Sequence, residues 1–247
     1  MVPEVIHSKW DAMLAPYKRV VAKADEKSYD HYKPTASFKT RDEIVVNLND
    51  FASRMVSVLY KLEWAAKSLE CLTEFYREYT GSLDNSMRGM TKPLPSNFIF
   101  NTDVFFCFAY GALDIIGGIL NTLTGSKIKK HDEYFARVLD FLVSSKSSFQ
   151  DTLFTNLKRE NDAGWICELR QYRNFVTHHA AIQPHSQFKY TAKDRTTEIN
   201  LFMLPDDPKR LPSTYEKKRE IPPYCQEVLE KELDAMKGLF GALEPLI

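Results

Sequence analysis

Apolar residues recur at helical spacing along most of the chain. In the longest run, residues 47–80, they return every three or four positions over roughly nine turns. A second run, residues 101–123, carries apolar side chains on more than one face, which predicts a helix at the centre of a core. Shorter runs at 131–143 and 149–157 predict further helices, as does a run at 5–24 that Pro16 would interrupt.

Several residues are suited to begin or end these helices. Asn47 or Asn49 can cap the start of the long helix, and Gly81 is placed to end it. Gly125 is placed to end the second helix in the same way. The glycines inside that second helix lower its propensity, and a close approach of another helix would compensate for this cost.

The periodicity changes after Pro184. Apolar residues alternate with polar ones at Phe188 and Tyr190, and again from Ile199 to Met203, which predicts a β-hairpin at about 186–204. After a polar loop, Pro222 begins a last helix. We therefore predict an all-α fold: an up-and-down helical bundle with a small β-hairpin insertion and a C-terminal helix. Residues 41–247 are assigned to a single domain and residues 1–40 to an N-terminal extension.

Composition narrows the functional classes. The 247 residues include 33 Lys and Arg against 33 Asp and Glu, so no overall basic field indicates nucleic acid, although a local basic patch is compatible. Only nine glycines argue against a glycine-rich phosphate-binding architecture. The four cysteines form no C-x-x-C pair, which argues against a zinc site or a disulfide framework and favours a reduced, cytoplasmic protein.

No membrane association is expected. The first residues do not combine a basic segment with an apolar run, so we predict no secretory signal. The longest uncharged apolar stretch, residues 104–113, is too short to cross a bilayer.

Residues 164–179 predict an amphipathic helix with a polar side of unusual composition. Trp165, Leu169, Tyr172 and Val176 share the apolar stripe. Arg170, Asn174 and His178 share the opposite side, and Arg173 lies on the shoulder between them. Asn161 and Asp162 are candidate N-caps. Asp114, on the apolar second helix, is expected either to pair with a cation, such as an arginine of this helix, or to face a pocket.

The segment Arg173-Asn174-Phe175-Val176-Thr177-His178 has the form R-N-x-x-x-H. It resembles the signature of the HEPN superfamily, R-x4–6-H with a polar residue, often Asn, after the Arg. The strict match covers these six residues, and the helical layout of residues 45–180 agrees with it. The resemblance implies a compact bundle of four or five helices, often homodimeric, with metal-independent endoribonuclease activity in its active members.

The residue types suit RNA cleavage on chemical grounds. RNA carries its own nucleophile, the 2′-OH, so an enzyme has to move protons and stabilise added negative charge on phosphorus. Imidazole exchanges protons near neutral pH, and guanidinium matches phosphate oxygens. His178 and Arg173 are therefore the predicted catalytic residues, and Asn174 either orients His178 or holds the phosphate. This chemistry requires no metal and no cofactor.

Helix geometry favours a homodimer. Arg173 and His178 lie about 140° apart around one helix, so one protomer's His and its partner's Arg would share a cleft. Arg170 and His179 are predicted to contact RNA. Four aromatic residues could stack on bases, although core or dimer packing is the expected role: Tyr76, Tyr79, Phe98 and Phe100.

Other interpretations stay open. Arg173 could form a structural ion pair with Asp114, or with carboxylates on the side of the helix that carries Glu168. His178 could simply cap the C-terminal end of its helix. The leading hypothesis is an endoribonuclease of toxin–antitoxin or defence type, with RNA as substrate and an antitoxin or other partner protein. The alternatives are a non-catalytic nucleotide-, RNA- or protein-binding module of the same fold and a helical interaction protein with a coincidental motif.

Overall fold

A computed structural model describes residues 4–28, 36–83, 95–126, 128–129, 132–144, 152–191 and 196–247, with only the backbone for 81–83, 187–191 and 196–200. This part of the chain forms seven α-helices, two short antiparallel hairpins and a final 3₁₀ turn. The helices are α1 (Glu4–Glu26), α2 (Leu48–Leu83), α3 (Ser96–Leu123), α4 (Phe135–Ser144), α5 (Thr152–Ala163), α6 (Trp165–His178) and α7 (Ile221–Leu243). Strands β1 (Ser37–Lys39) and β2 (Val45–Asn47) pair with each other, as do β3 (His185–Thr191) and β4 (Thr196–Met203).

The predicted fold class is confirmed: a mostly helical protein with a small β insertion. The hairpin β3–β4 occupies the predicted position, although residues 192–195 at its turn lie outside the described residues. The C-terminal helix begins at Ile221, with prolines in its first turn. Asn47 caps α2, because its Oδ1 accepts the Asp50 N–H at 2.9 Å.

Several predicted helix boundaries were wrong. Pro16 lies inside α1 rather than interrupting it, and α2 continues past Gly81 to Leu83. Helix α3 begins at Ser96, ahead of the predicted start at 101. Asn161 and Asp162 do not cap the motif helix, since both belong to α5. The N-cap of α6 is Gly164, which has no side-chain cap. The local stop signals at Pro16 and Gly81 therefore did not end their helices.

Helix α3 lies at the centre of the fold, between α2 on one side and α6 on the other, with α4 and α7 also in contact. Its apolar length would suffice to cross a membrane, but 67% of the relevant window is buried inside the protein, as in the core helix of a soluble protein. A Cβ on Gly117 would lie 2.8 Å from the Phe135 Cα. This glycine therefore permits the close approach of α4 that the sequence pattern required.

Helix α1 packs against α7 and shares the main core. Its side chains Ile6, Met13 and Val20 are almost completely buried in the same cluster as the residues of α2 and α3. Each such burial stabilises the fold by about 1.5–3 kcal/mol. The first helix thus contributes directly to the core that supports α7.

Candidate functional site

Helix α6 holds the motif by anchoring one face in the core. Trp165, Leu169 and Tyr172 are buried, and the Tyr172 hydroxyl donates a 2.6 Å hydrogen bond to the Pro205 carbonyl. The opposite side becomes progressively more exposed toward the C-terminus, from half-buried Asn174 to exposed His178. The amphipathic pattern therefore sets the direction in which the motif side chains point.

Arg173 connects α6 to α3. Its Nη2 lies 3.5 Å from Oδ2 of Asp114, and its Nη1 donates a 2.9 Å hydrogen bond to Oδ1 of Asn174. The guanidinium carbon is 5.5 Å from the centroid of the Tyr110 ring. The predicted pairing of Asp114 with an arginine of this helix is confirmed.

The carboxylate of Asp114 also binds the start of α4. Its Oδ1 accepts a 3.2 Å hydrogen bond from the Phe135 N–H. Burial raises the pKa of Asp114, while the Phe135 N–H and the charge of Arg173 act in the opposite direction. The group therefore joins three helices, and Arg173 is its nearest cation.

Arg170 is held by α5. Its Nη1 and Nη2 each lie 3.3 Å from Asn161, the first from the side-chain oxygen and the second from the backbone carbonyl. Asn161 is buried, so this pair occupies the junction between α5 and α6. The guanidinium is half-buried rather than projecting freely into solvent.

The two histidines at the end of α6 are both exposed. His179 is the C-cap residue, its backbone N–H bonds the Phe175 carbonyl at 2.9 Å, and its ring lies 5.7 Å from the Phe175 ring. Among the described residues, no side chain forms a hydrogen bond or ion pair with the His178 imidazole. We call the surface formed by Asp114, Arg173, Asn174, Thr177 and His178 the motif face.

Asp103 is a candidate that sequence reasoning missed as a site residue. Its Oδ1 accepts a 3.3 Å hydrogen bond from the Ile182 N–H, just beyond α6. Burial raises the pKa of Asp103 to about 6, although this N–H lowers it. Raised carboxyl pKa values cluster at functional sites. The available sequence signal was spacing, since Asp103 and Asp114 stand eleven residues apart on one face of an apolar helix.

A separate cleft of about 540 Å³ lies between the start of α6 and the start of α7 and contains none of the motif residues. Glu168, one of its lining residues, pairs with Arg219 at 2.6 Å and with Lys217 at 3.3 Å. Arg219 and Lys217 lower the pKa of this carboxyl against the opposing effect of burial. The Glu168 carboxylate is thus paired within the protein, whereas the buried Nη1 of Arg219 has no hydrogen-bond partner among the described residues.

The described part of the chain contains neither a metal-ligand cluster nor a disulfide. No group of three or more His, Cys, Asp or Glu there could hold a metal ion. All four cysteines are free, and Cys225 is buried in the core.

No family model, no curated protein and no solved structure matches the chain. The HEPN resemblance therefore rests on the six residues of the motif and their position on α6, and it stays a prediction.

Proposed function

We propose that this protein is a metal-independent endoribonuclease of HEPN type that acts as a homodimer on RNA. The observation that supports it best is the position of His178. Its imidazole is exposed, has no partner among the described residues, and follows Asn174 by one turn on the same side of α6. A histidine in this setting is free to exchange protons with a bound substrate.

In the proposed reaction, His178 accepts the proton of the ribose 2′-OH as that oxygen attacks phosphorus. The phosphorane gains negative charge, which a guanidinium and the Asn174 amide stabilise. The bond from phosphorus to the 5′ oxygen then breaks, and the leaving oxygen takes a proton from an imidazolium. Each donor to the phosphorane contributes roughly 2–4 kcal/mol to lowering the barrier.

The contacts of Arg173 are compatible with this role. Arginine has five N–H donors, and two of its nitrogens are engaged by Asn174 and Asp114. The Asp114 contact is long at 3.5 Å, so it orients the guanidinium without using all of its donors. A phosphate could bind the remaining donors of a side chain that is already ordered.

A second protomer completes the proposed site. Arg173 and His178 diverge by about 140° around α6, so the two side chains of one protomer cannot enclose a phosphate between them. Two copies of the motif face placed together bring the histidine of one copy to the arginine of the other. Arg170 and His179 flank this face as proposed RNA contacts. The same proposal includes a cytoplasmic location, a role in a toxin–antitoxin or defence system, and an antitoxin or other protein as partner.

The test is cleavage of a labelled single-stranded RNA by purified protein in EDTA. We expect cleavage by the wild type and about 100-fold or greater loss for His178→Ala. His7→Ala changes an exposed histidine on α1 and serves as the matched control. Full activity in His178→Ala, or loss of wild-type activity in EDTA, would contradict the mechanism.

A second candidate is a non-catalytic module of this fold that binds nucleotide, RNA or a partner protein. The ion pair of Arg173 with Asp114 favours it, because the guanidinium already has a carboxylate partner within the protomer. This function predicts RNA binding that weakens with salt and is not followed by cleavage. A helical interaction protein predicts neither binding nor cleavage of RNA.

A further inference from the structure

Three exposed or half-buried aromatic rings cluster on the outer surface of α2 and α3. Tyr60 and Trp64 on α2 are 53% and 38% exposed, although large aromatic side chains are usually buried. Their rings lie 6.0 Å apart, and each lies within 6.3 Å of the ring of Phe108 on α3. We call Tyr60, Trp64 and Phe108 the aromatic platform.

Two lysines accompany the aromatic platform. The Nζ of Lys61 lies 4.6 Å from the Phe108 ring centroid, and that of Lys67 lies 5.2 Å from the Trp64 ring centroid. Lys67 also pairs with Glu63 at 2.8 Å. A Cβ on Gly111 would lie 2.9 Å from the Lys61 side chain, so this glycine leaves room for the lysine stem to lie across α3. Rings and cations therefore alternate on one surface.

The aromatic platform adjoins the motif face. Cys107 precedes Phe108 on α3, and its Sγ lies 4.0 Å from Oγ1 of Thr177 on α6. Thr177 in turn precedes His178. Lys61 acts electrostatically on Asp114, the carboxylate that holds Arg173. Helix α3 contacts both α2 and α6 and carries Phe108 of the aromatic platform and Asp114 of the motif face.

We propose that the aromatic platform binds single-stranded RNA by stacking bases on Trp64 and Tyr60, with Lys61 and Lys67 contacting phosphates beside the motif face. This inference rests on the proposed function, since it supplies the RNA that the motif face would cut. Aromatic rings interleaved with cations are the usual surface for sequence-tolerant single-strand binding. Lysine is depleted at the core of protein–protein interfaces, which makes a second protein copy the less suitable occupant.

The experiment measures binding of a labelled single-stranded RNA in the His178→Ala background, where cleavage cannot obscure affinity. We expect Trp64→Ala to weaken binding about tenfold and Trp64→Phe to retain most of it, because phenylalanine keeps a stacking face. Tyr134→Ala, which removes a 47% exposed ring on the residue just before α4, is the matched control. Each variant is first checked for an unchanged melting temperature.

Two further measurements separate stacking from charge. An abasic strand has no bases to stack, so we expect Trp64→Ala and its parent to bind it equally. Lys61→Ala should reduce the slope of log affinity against log salt by about one. If the wild type cuts no RNA but Trp64→Ala still weakens RNA binding, the nuclease proposal is rejected and RNA binding by the aromatic platform is supported.

Two outcomes overturn the inference. The first is equal RNA affinity for Trp64→Ala and Tyr134→Ala. The second is that Tyr60→Ala and Trp64→Ala convert a dimer to monomers in sedimentation equilibrium while the affinity per protomer for RNA is unchanged. In that case the surface is an interface between copies of the chain.

Discussion

The Nη2 of Arg173 lies 3.5 Å from Oδ2 of Asp114, and this contact joins the motif helix to the central helix of the fold. Both side chains are mostly shielded, with 30% and 23% of their surfaces exposed. A partly buried carboxylate depends on its cation more than an exposed one does. The pair therefore contributes to stability while it orients the guanidinium of the motif.

Removing Arg173 should destabilise the fold beyond the loss of one surface ion pair. We expect Arg173→Ala to lower the free energy of unfolding by about 1–2 kcal/mol, because Asp114 keeps its burial but loses its nearest cation. Adding Asp114→Asn should recover part of this loss, as measured by urea unfolding in a double-mutant cycle. Arg137→Ala, which breaks a more exposed pair with Asp132 at 3.0 Å, should cost less. Strictly additive effects at Arg173 and Asp114 would show that the pair is not coupled.

Asp103 should make stability depend on pH. Burial raises its folded pKa to about 6. Its unfolded value is about 3.9, so the folded state binds the proton more tightly and stability falls as pH rises between these values. We expect Asp103→Asn to match the wild type near pH 4 and to exceed it by about 1 kcal/mol at pH 7.5, discounted for partial solvent exposure. Urea unfolding at the two pH values checks this, with exposed Asp11→Asn as control. A gain of equal size at both pH values would contradict it.

Tyr172 should lose stability when only its hydroxyl is removed. That hydroxyl donates a buried 2.6 Å hydrogen bond to the Pro205 carbonyl, so Tyr172→Phe leaves the acceptor unsatisfied while keeping the ring stacked 4.8 Å from Phe106. We expect a loss of about 1–3 kcal/mol in chemical denaturation. Tyr215→Phe removes an exposed 3.3 Å bond to the Gln183 carbonyl and should have little effect. Similar losses in both variants would argue against a special role for the Pro205 bond.

Glu232 should destabilise the fold in its charged form. It is completely buried on α7, and neither carboxyl oxygen has a hydrogen-bond partner. Burial raises the pKa of Glu232 well above its usual value, so the folded state keeps a proton that the unfolded state loses. The free energy of unfolding therefore falls as pH rises above the unfolded pKa. We expect Glu232→Met to increase stability by about 1–3 kcal/mol at pH 8 and by less at pH 4. Thermal unfolding at both pH values tests this.

Glu227→Met, at a 62% exposed position on the same helix, should shift the melting temperature little. A loss of stability in Glu232→Met at pH 8 would mean that the carboxyl has a stabilising partner.

The local pattern of apolar and polar residues was sufficient for most of the secondary structure. The 3.6-residue period predicted the helices, and the change to alternation after Pro184 predicted the β3–β4 hairpin. The same period predicted that Asn174 and His178 would share one side of a helix. These features depend on neighbours along the chain, so no long-range contact was needed to predict them.

Contacts between distant segments were decided by folding in three dimensions. The sequence left open whether Arg173 would pair with Asp114, and it did not indicate that Asn161 would hold Arg170 instead of capping α6. The residues considered for stacking included Phe98, which is in the core, whereas the exposed cluster is formed by Tyr60, Trp64 and Phe108. Such pairings depend on the rotation and separation of whole helices, which are set by the packing of the entire core. The period along the chain carries information about each helix alone and none about which helix will lie beside it.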